Sequence, residues 1–376
     1  MDLTFDAETE DFRAEVRDFL AANTEHFPTV SYDLVEGFEQ HRHWDKVLFD
    51  AGLSVIAWPK EFGGRDATLL QWIVYEEEYF RAGAPGRASA NGTSMLGPTL
   101  FAHGTSEQRT RILPKMASGE EIWAQAWSEP ESGSDLASLR STATQTDGGW
   151  KLNGQKIWSS RAPFGDKAFG LFRSDPSAQR HKGLTYVMFD LRAEGVTVRP
   201  IAQLGGATGF GEIFLDDVFV PDDDVIGTVG AGWAAAMSTS SNERGMSLRS
   251  PARFLAPAER LVEAWRADRN PAFADRVADA WIKAQAYRLH TFGTVTRLAA
   301  GGELGAESSV TKVFWSDLDV ALHQSALDLR GPDAELVDGW TEGLLFALGG
   351  PIYAGTNEIQ RNIIAERLLG LPREPK

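Results

Sequence analysis

The sequence predicts a mainly α protein with a small antiparallel β domain in its middle. Three observations predict it. Apolar residues recur at helical spacing up to about residue 117, they shift toward alternation between Glu121 and Gly227, and Ala-rich helical patterning runs from Trp233 to the end. The corresponding segments are 1–117, an N-terminal helical domain; 118–228, a β domain; and 229–376, a C-terminal helical bundle.

In the first segment Phe12, Val16, Phe19 and Leu20 form one apolar face behind an acidic first turn of Glu8, Glu10 and Asp11. Further helices are expected around Trp44–Phe49, Leu69–Arg81 and Ser106–Met116, with Gly52, Gly83 and Gly104 at their stops and a loop at 58–64. Strands are expected at Trp150–Leu152, Lys156–Ser159, Leu184–Phe189, Val196–Ile201 and Ile213–Val220, with turns at Asp147-Gly-Gly149, Asn153-Gly154 and Glu194-Gly195. Pro221-Asp-Asp-Asp224 breaks the strands, and Gly230-Ala-Gly232 opens the second helical region. There the long stretch 271–300 stands out, with Met237, Trp281, Ala284, Tyr287 and Leu289 on apolar faces suited to a bundle.

Composition narrows the function. With no cysteine, disulfides, thiolate catalysis and Fe–S clusters are excluded. A formal charge of −16 argues against a nucleic-acid partner, whose phosphates require clustered Lys and Arg. The start Met1-Asp-Leu-Thr-Phe-Asp6 shows no secretory signal, and no run of about 18 apolar residues offers a membrane span, so a cytoplasmic enzyme is expected.

Chemistry concentrates in Trp123-Ala-Gln-Ala-Trp-Ser-Glu-Pro-Glu-Ser-Gly-Ser-Asp135 and Gln155-Lys-Ile-Trp-Ser-Ser160. A turn at Gly133 permits close backbone approach, and Ser128 and Ser134 offer hydroxyls. Trp158 and Ser160, two apart on a strand, are expected on one face. Flat indole, hydroxyls and Gly-Ser turn together suit a planar cofactor carrying phosphates. The pair resembles the flavin-binding signature of acyl-CoA dehydrogenases, and the tail Ile352-Tyr-Ala-Gly-Thr-Asn-Glu-Ile-Gln-Arg361 resembles that family's C-terminal signature. The three matches keep family order and spacing over the whole chain.

The resemblance implies an N-terminal helical domain, a β domain and a C-terminal four-helix bundle, with bundles packed into a homotetramer or a heterotetramer with a paralogous chain. It implies FAD bound along Gln125, Trp127, Ser128, Gly133 and Ser134, beneath Trp158 and beside Ser159 and Ser160, with Thr356 and Glu358 approaching from the tail. Ser134 would also touch the CoA portion of an acyl-CoA substrate. The reaction implied is α,β-desaturation of the thioester, with the β-hydride passing to flavin N5 and electrons leaving to an electron-transfer flavoprotein or similar acceptor.

Two positions depart from the family's best-known pattern. Many members carry the proton-abstracting Glu where this chain has Ala354, and a methyl group cannot abstract a proton. Other members carry the base on the first long C-terminal-domain helix, immediately before an Arg, which here matches Glu243-Arg244. Glu243 is therefore the expected base and Arg244 the expected substrate contact. Neither has an opposite charge at helical spacing, as a routine surface pair would show. The usual Arg followed by Phe-Gly, which holds the flavin diphosphate, is also missing; Arg253-Phe-Leu-Ala256 is the nearest stretch and lacks the Gly. Heteromeric bacterial steroid-degrading members diverge similarly, so the alternatives are a half-site or non-catalytic subunit, or an acyl-CoA oxidase or flavin monooxygenase on the same scaffold.

Three other patterns carry no chemistry. Ser309-Val-Thr-Lys312 lacks the companions of a penicillin-binding set and reads as a capped helix start. Gly205–Gly211 lies between strands and reads as a β-domain loop rather than a dinucleotide fingerprint. Glu39 and His43 share a helix face with no third ligand in reach, so no metal is expected.

Overall fold

The computed structural model describes residues 5–244, 250–302 and 304–373, the side chains of 241–244 lying outside the described set. The chain gathers into two compact units, each assembled from distant stretches. Met1–Asn23, Thr68–Ala84 and Arg244–Lys376 form one; Thr24–Ala67 and Pro85–Glu243 form the other.

Helix α1 (Ala7–Ala22) starts where the Asp6 carboxylate accepts the Thr9 N–H at 2.8 Å, and it buries Phe12, Val16 and Leu20, with Phe19 half-buried. Helix α2 (Val35–Asp50) begins well before the expected Trp44 and buries Phe38, Trp44 and Leu48. Helix α3 (Leu69–Arg81) and helix α5 (Ser106–Ala117) both open with capping boxes, Thr68 with Gln71 and Thr105 with Gln108, which fix their expected starts. Between them lies a short α4 (Gly97–His103). Helix α3 buries Glu77 and Glu78, which Arg13, Arg17 and Arg288 neutralise at contacts of 3.2 Å or less. Four long-range ion pairs thereby tie α3 into the first unit.

The sheet comprises β1 (Trp123–Ala126), β2 (Thr142–Thr146), β3 (Gly149–Ser160), β4 (Lys167–Arg173), β5 (Leu184–Asp190), β6 (Val196–Ile201), β7 (Phe210–Pro221) and β8 (Val225–Ile226). Its order is β6-β7-β3-β2-β4-β5-β8, with β1 on β4. Most pairings are antiparallel as expected; β1–β4 and a single β2–β4 bridge add parallel ones. Asp147-Gly-Gly149 makes the β2–β3 turn. Asn153-Gly154, expected to be a turn, instead lies inside β3 at a β-bulge against β7, so two expected strands are one. Trp150, Leu152, Phe172, Val187, Phe189 and Ile213 fill the core beneath.

Helices α6 (Gly232–Arg244), α7 (Ala252–Asp268), α8 (Ala274–Ala299), α9 (Glu307–Arg330), α10 (Gly339–Ala347) and α11 (Asn357–Ile363) complete the chain. Phe254 and Leu261 of α7, Ala284 and Tyr287 of α8, and Trp315 and Leu322 of α9 share one buried cluster, with Trp281 packed against it. Leu289, expected on an apolar face, is exposed, because it falls outside the stripe set by Ala284 and Tyr287. Ser309 does not cap α9, which starts at Glu307, and lies buried within the helix. No helix among the described residues is long and apolar enough to cross a membrane.

Candidate functional site

The sheet brings most of the expected cofactor residues into one neighbourhood. On β1, Gln125 pairs in register with Phe169 of β4 and stays half-buried between the buried Ala124 and Ala126. Just beyond, the Trp127 indole N–H donates to the Tyr186 hydroxyl at 3.2 Å, that hydroxyl meets the Thr239 hydroxyl at 3.1 Å, and Thr239 meets the Thr99 hydroxyl at 2.7 Å. This chain of hydroxyls ties the segment after β1 to α4 and α6. Next, the Ser128 carbonyl accepts the Ile157 N–H at 2.8 Å, which lays the Ser128 segment directly against β3.

The turn that follows is closed by reciprocal backbone bonds between Glu129 and Ser132, each 3.0 Å. Ser132 is buried and donates to the Asp135 carbonyl at 2.8 Å, which leaves Gly133 and Ser134 exposed at the tip. A Cβ built on Gly133 would meet nothing within 4 Å, so none of the described residues makes the close approach a glycine there permits. The space is open.

Trp158 points outward because of a second bulge. Between Lys156 opposite Ile213 and Ser159 opposite Gly211, β3 carries two residues where β7 carries one. Burial accordingly switches from even positions, Trp150, Leu152 and Lys156, to the odd Ser159. Trp158 and Ser160 thus do share the less buried side, through the bulge rather than through a plain pleat. Trp158 sits at φ 56° with its side chain 57% exposed, its ring meeting Phe210 edge-on at 6.0 Å. Left-handed backbone at a non-glycine residue is costly and concentrates at ligand clamps. Ser159 between them is fully buried, and its hydroxyl has no hydrogen-bond partner among the described residues.

Beneath this surface lies an ion pair that the sequence did not reveal. Lys156 donates to Glu129 at 2.8 Å and to the Leu171 carbonyl at 2.8 Å, while Glu129 accepts the Arg140 and Ser141 N–H groups at 2.6 and 2.9 Å. Burial alone would raise the Glu129 pKa, but the Lys156 charge and these donors hold it below the usual carboxylate value. Both residues stand inside the quoted motifs. Their pairing across the fold has no local signature.

The tail residues lie in the other unit. Thr356 caps α11 by accepting the Ile359 N–H at 3.3 Å, and Glu358 is exposed in its first turn, its pKa lowered first by its own backbone N–H and then by Thr356. The inward side of α11 carries Asn357 and Gln360. Asn357 joins Lys312 at 2.8 Å and Ser316 at 3.1 Å, and Gln360 donates to the Ala354 and Gly355 carbonyls. Ile359, Ile363 and Ile364 are half-buried and Leu368 is exposed.

Arg253 is held by Asp319 at 2.9 Å. Glu243 and Arg244 form the last turn of α6, and their side chains lie outside the described residues. No metal-binding cluster occurs among the described residues. His41 faces the Gly86 and Val30 carbonyls instead.

The residues suit a planar cofactor with a polar tail. An outward indole on strained backbone, the half-buried Ser160 on the same side of the strand and open space at a Gly-Ser tip supply a stacking face, a hydrogen-bonding group and room for a phosphate chain.

Comparison with known proteins agrees over the full length. Residues 6–120 match the acyl-CoA dehydrogenase N-terminal domain, 124–218 the middle domain and 230–369 the C-terminal domain. The chain is 39% identical to acyl-CoA dehydrogenase IpdE1 of Mycobacterium tuberculosis, over 98% of this chain and 99% of that protein. Among solved structures it is similar to the Tcur3481-Tcur3483 steroid ACAD, with TM-score 0.89 and 28% identity over both whole chains. It is also similar to the ChsE4-ChsE5 complex of Mycobacterium tuberculosis, with TM-score 0.84 and 26% identity over both whole chains. A chain with all three domain matches in order, and so near an identified member from end to end, belongs to the acyl-CoA dehydrogenase family.

Proposed function

We propose that this oxidoreductase desaturates an acyl-CoA thioester between its α and β carbons, with FAD as cofactor and Glu243 as the base. The observation that carries this reading is the outward Trp158 on its bulge, on the same side of the strand as Ser160 and bonded through Ile157 to the Ser128 segment. FAD, when bound, supplies the acceptor for the hydride that leaves the β carbon. Trp158 offers its ring one flat face, Ser160 offers a hydroxyl at its edge, and Gln125, Trp127, Ser128, Gly133 and Ser134 line its length. Ser159, expected beside the ring, is buried on the inner side of β3 and reaches it through the backbone alone. The family resemblance adds Thr356 and Glu358 of the tail as further cofactor contacts. Glu243 removes the α proton, and Arg244 contacts the substrate. A carboxylate base in a desolvated cleft works at neutral pH when burial lifts its pKa.

Domain boundaries at 117/118 and 228/229 are part of the proposal, as are a cytoplasmic location and an electron-transfer flavoprotein as acceptor. Similarity to a steroid ACAD favours a steroid side-chain thioester among substrates.

A second reading is a subunit of a heterotetramer in which a paralogous chain completes the FAD site. Arg253 favours it: in the stretch nearest to the usual diphosphate-binding motif, which lacks its Gly, the guanidinium is engaged by Asp319. Similarity to the ChsE4-ChsE5 complex supports the same reading.

The test is the visible spectrum of the purified protein followed by anaerobic titration with a panel of acyl-CoA thioesters, steroid side-chain thioesters included. Bound flavin that bleaches, and a Glu243→Gln variant that stays yellow without bleaching, are expected. Full bleaching by Glu243→Gln would remove Glu243 from the role. No flavin without a co-expressed paralogue would favour the heteromeric reading, and rapid oxygen consumption by the reduced protein would favour an oxidase.

A further inference from the structure

Arg161, one residue beyond the Ser160 edge, also holds left-handed backbone, at φ 71°, three residues from Trp158 at 56°. Non-glycine residues keep such conformations only where their surroundings over-determine them. Trp158 supplies little of that support, since its side chain is mostly exposed and its ring contact is the edge of Phe210. One end of the short segment is fixed by the Ile157 N–H on Ser128. The other end is fixed at Arg161, from a loop more than a hundred residues earlier.

The Arg161 N–H donates to the Gly209 carbonyl at 2.8 Å, and its guanidinium donates to the Asp33 carboxylate. The same guanidinium lies 3.8 Å from the centre of the Tyr32 ring. Neither Arg161 nor Asp33 is more than 15% exposed, so charge-assisted bond and cation–π contact both act with little solvent screening. The Asp33 carbonyl accepts the Thr208 N–H at 2.8 Å, and a Cβ on Gly209 would meet the Asp33 Oδ1 at 1.9 Å. Behind Tyr32, the buried His41 ring braces it edge-on at 4.9 Å. The glycine-rich stretch before β7 therefore serves to admit Asp33 against the strand end.

We propose that Tyr32 and Asp33 are positioning residues that act through Arg161 to hold Trp158 in its outward orientation. The functional meaning of this rests on the flavin reading of Trp158; the positioning itself is a property of the protein alone. The latch spans the Tyr32–Asp33 loop, the β3 end and the Gly209 loop, and it touches none of the groups proposed to contact FAD except through the backbone.

The experiment uses the full chain labelled with 5-fluorotryptophan, with Trp158→Phe identifying the Trp158 fluorine resonance. Asp33→Asn keeps the shape of the side chain and removes its charge; Gly209→Ala leaves Tyr32, Asp33 and Arg161 intact and drives a methyl into the carboxylate. Each is expected to shift or broaden the Trp158 line without FAD present, and to weaken FAD retention by about tenfold. Tyr32→Phe, which keeps a ring over the guanidinium, is expected to leave the line in place, and Tyr32→Leu to move it. An unchanged Trp158 line in folded Asp33→Asn and Gly209→Ala overturns the proposal. If Gly209→Ala does not fold, the gentler Asp33→Asn decides alone. Wild-type protein that takes up no FAD would overturn the flavin reading, and the fluorine result would still decide whether the latch positions Trp158.

Discussion

The Lys156 ammonium lies 2.8 Å from the Glu129 carboxylate, with the lysine side chain fully buried and the glutamate 7% exposed. Removing one partner leaves an uncompensated charge in the sheet core, so Lys156→Met is expected to cost about 3–5 kcal/mol in denaturant unfolding. The double variant Lys156→Met with Glu129→Leu is expected to recover most of that loss, because no buried charge remains. Glu129 is held below its usual value of 4.5, so its stabilisation is complete above that pH and is lost as pH falls through the lower folded value. A single variant as stable as wild type would show that the pair does not secure the Ser128 segment.

Asp45 runs the other way with pH. It is buried in α2 with one oxygen accepting the Ser89 N–H at 2.8 Å and the other without a hydrogen-bond partner among the described residues, and burial pushes its pKa to about 6 from 3.8. A raised folded value means the native state binds the extra proton. Its contribution is fully present below 3.8 and is lost as pH rises through about 6, a gap worth roughly 3 kcal/mol at most. Asp45→Asn cannot ionise. Its stability relative to wild type is expected to improve by roughly 2–3 kcal/mol between about pH 4 and pH 7.5, read from urea midpoints at each pH. A pH-independent difference would show that the buried carboxyl does not titrate in this window.

Ala354 stands at φ 56° in the turn that Gln360 holds through the Ala354 and Gly355 carbonyls. Left-handed backbone costs an alanine roughly 1–2 kcal/mol, while glycine brings an entropic cost of roughly 0.5–1 kcal/mol. Ala354→Gly is therefore expected to stabilise by up to about 1 kcal/mol, and Ala354→Val to destabilise, since a β-branched residue is least tolerant there. Thermal midpoints that fall for both substitutions would place the alanine methyl in favourable packing instead.

The sequence announces what is local and hides what is long-range. Capping residues Thr68 and Thr105 mark helix starts that the structure keeps, and the alternation of β6 and β7 is visible because one face of each meets the core, while β5, buried at six of its seven positions, shows through its β-branched and aromatic residues. Strand β4 is buried along nearly its whole length, so it lacks alternation, and β1 is only four residues of Trp, Ala and Gln. Asn153-Gly154 carries hairpin-turn chemistry, yet the pairing of β3 with β7 on both sides pulls it into a bulge. In the tail, Ile359, Ile363, Ile364 and Leu368 recur at helical spacing, but the buried Lys312 requires a polar partner and Asn357 turns inward to meet it. The motif around Trp158 was legible as chemistry; the bulge that turns it outward and the Arg161 contacts that hold it were not, because both depend on residues far away in the chain.

Trp158 and Trp150 lie on the same strand and separate a binding role from a packing role. Trp150 is buried in the sheet core, so Trp150→Ala is expected to cost about 3–5 kcal/mol of stability through lost burial and the cavity left behind. Trp158 is mostly exposed, and its backbone strain is relieved by glycine, so Trp158→Gly is expected to change unfolding free energy by no more than about 1 kcal/mol, with either sign. Its effect on the cofactor is expected to be large. Loss of an aromatic face against a planar ring weakens retention by about tenfold, measured as FAD released on dilution and filtration. A Trp158→Gly protein that unfolds readily while still holding FAD as tightly as wild type would reverse the two roles, making the indole a structural prop and moving the stacking face elsewhere in the chain.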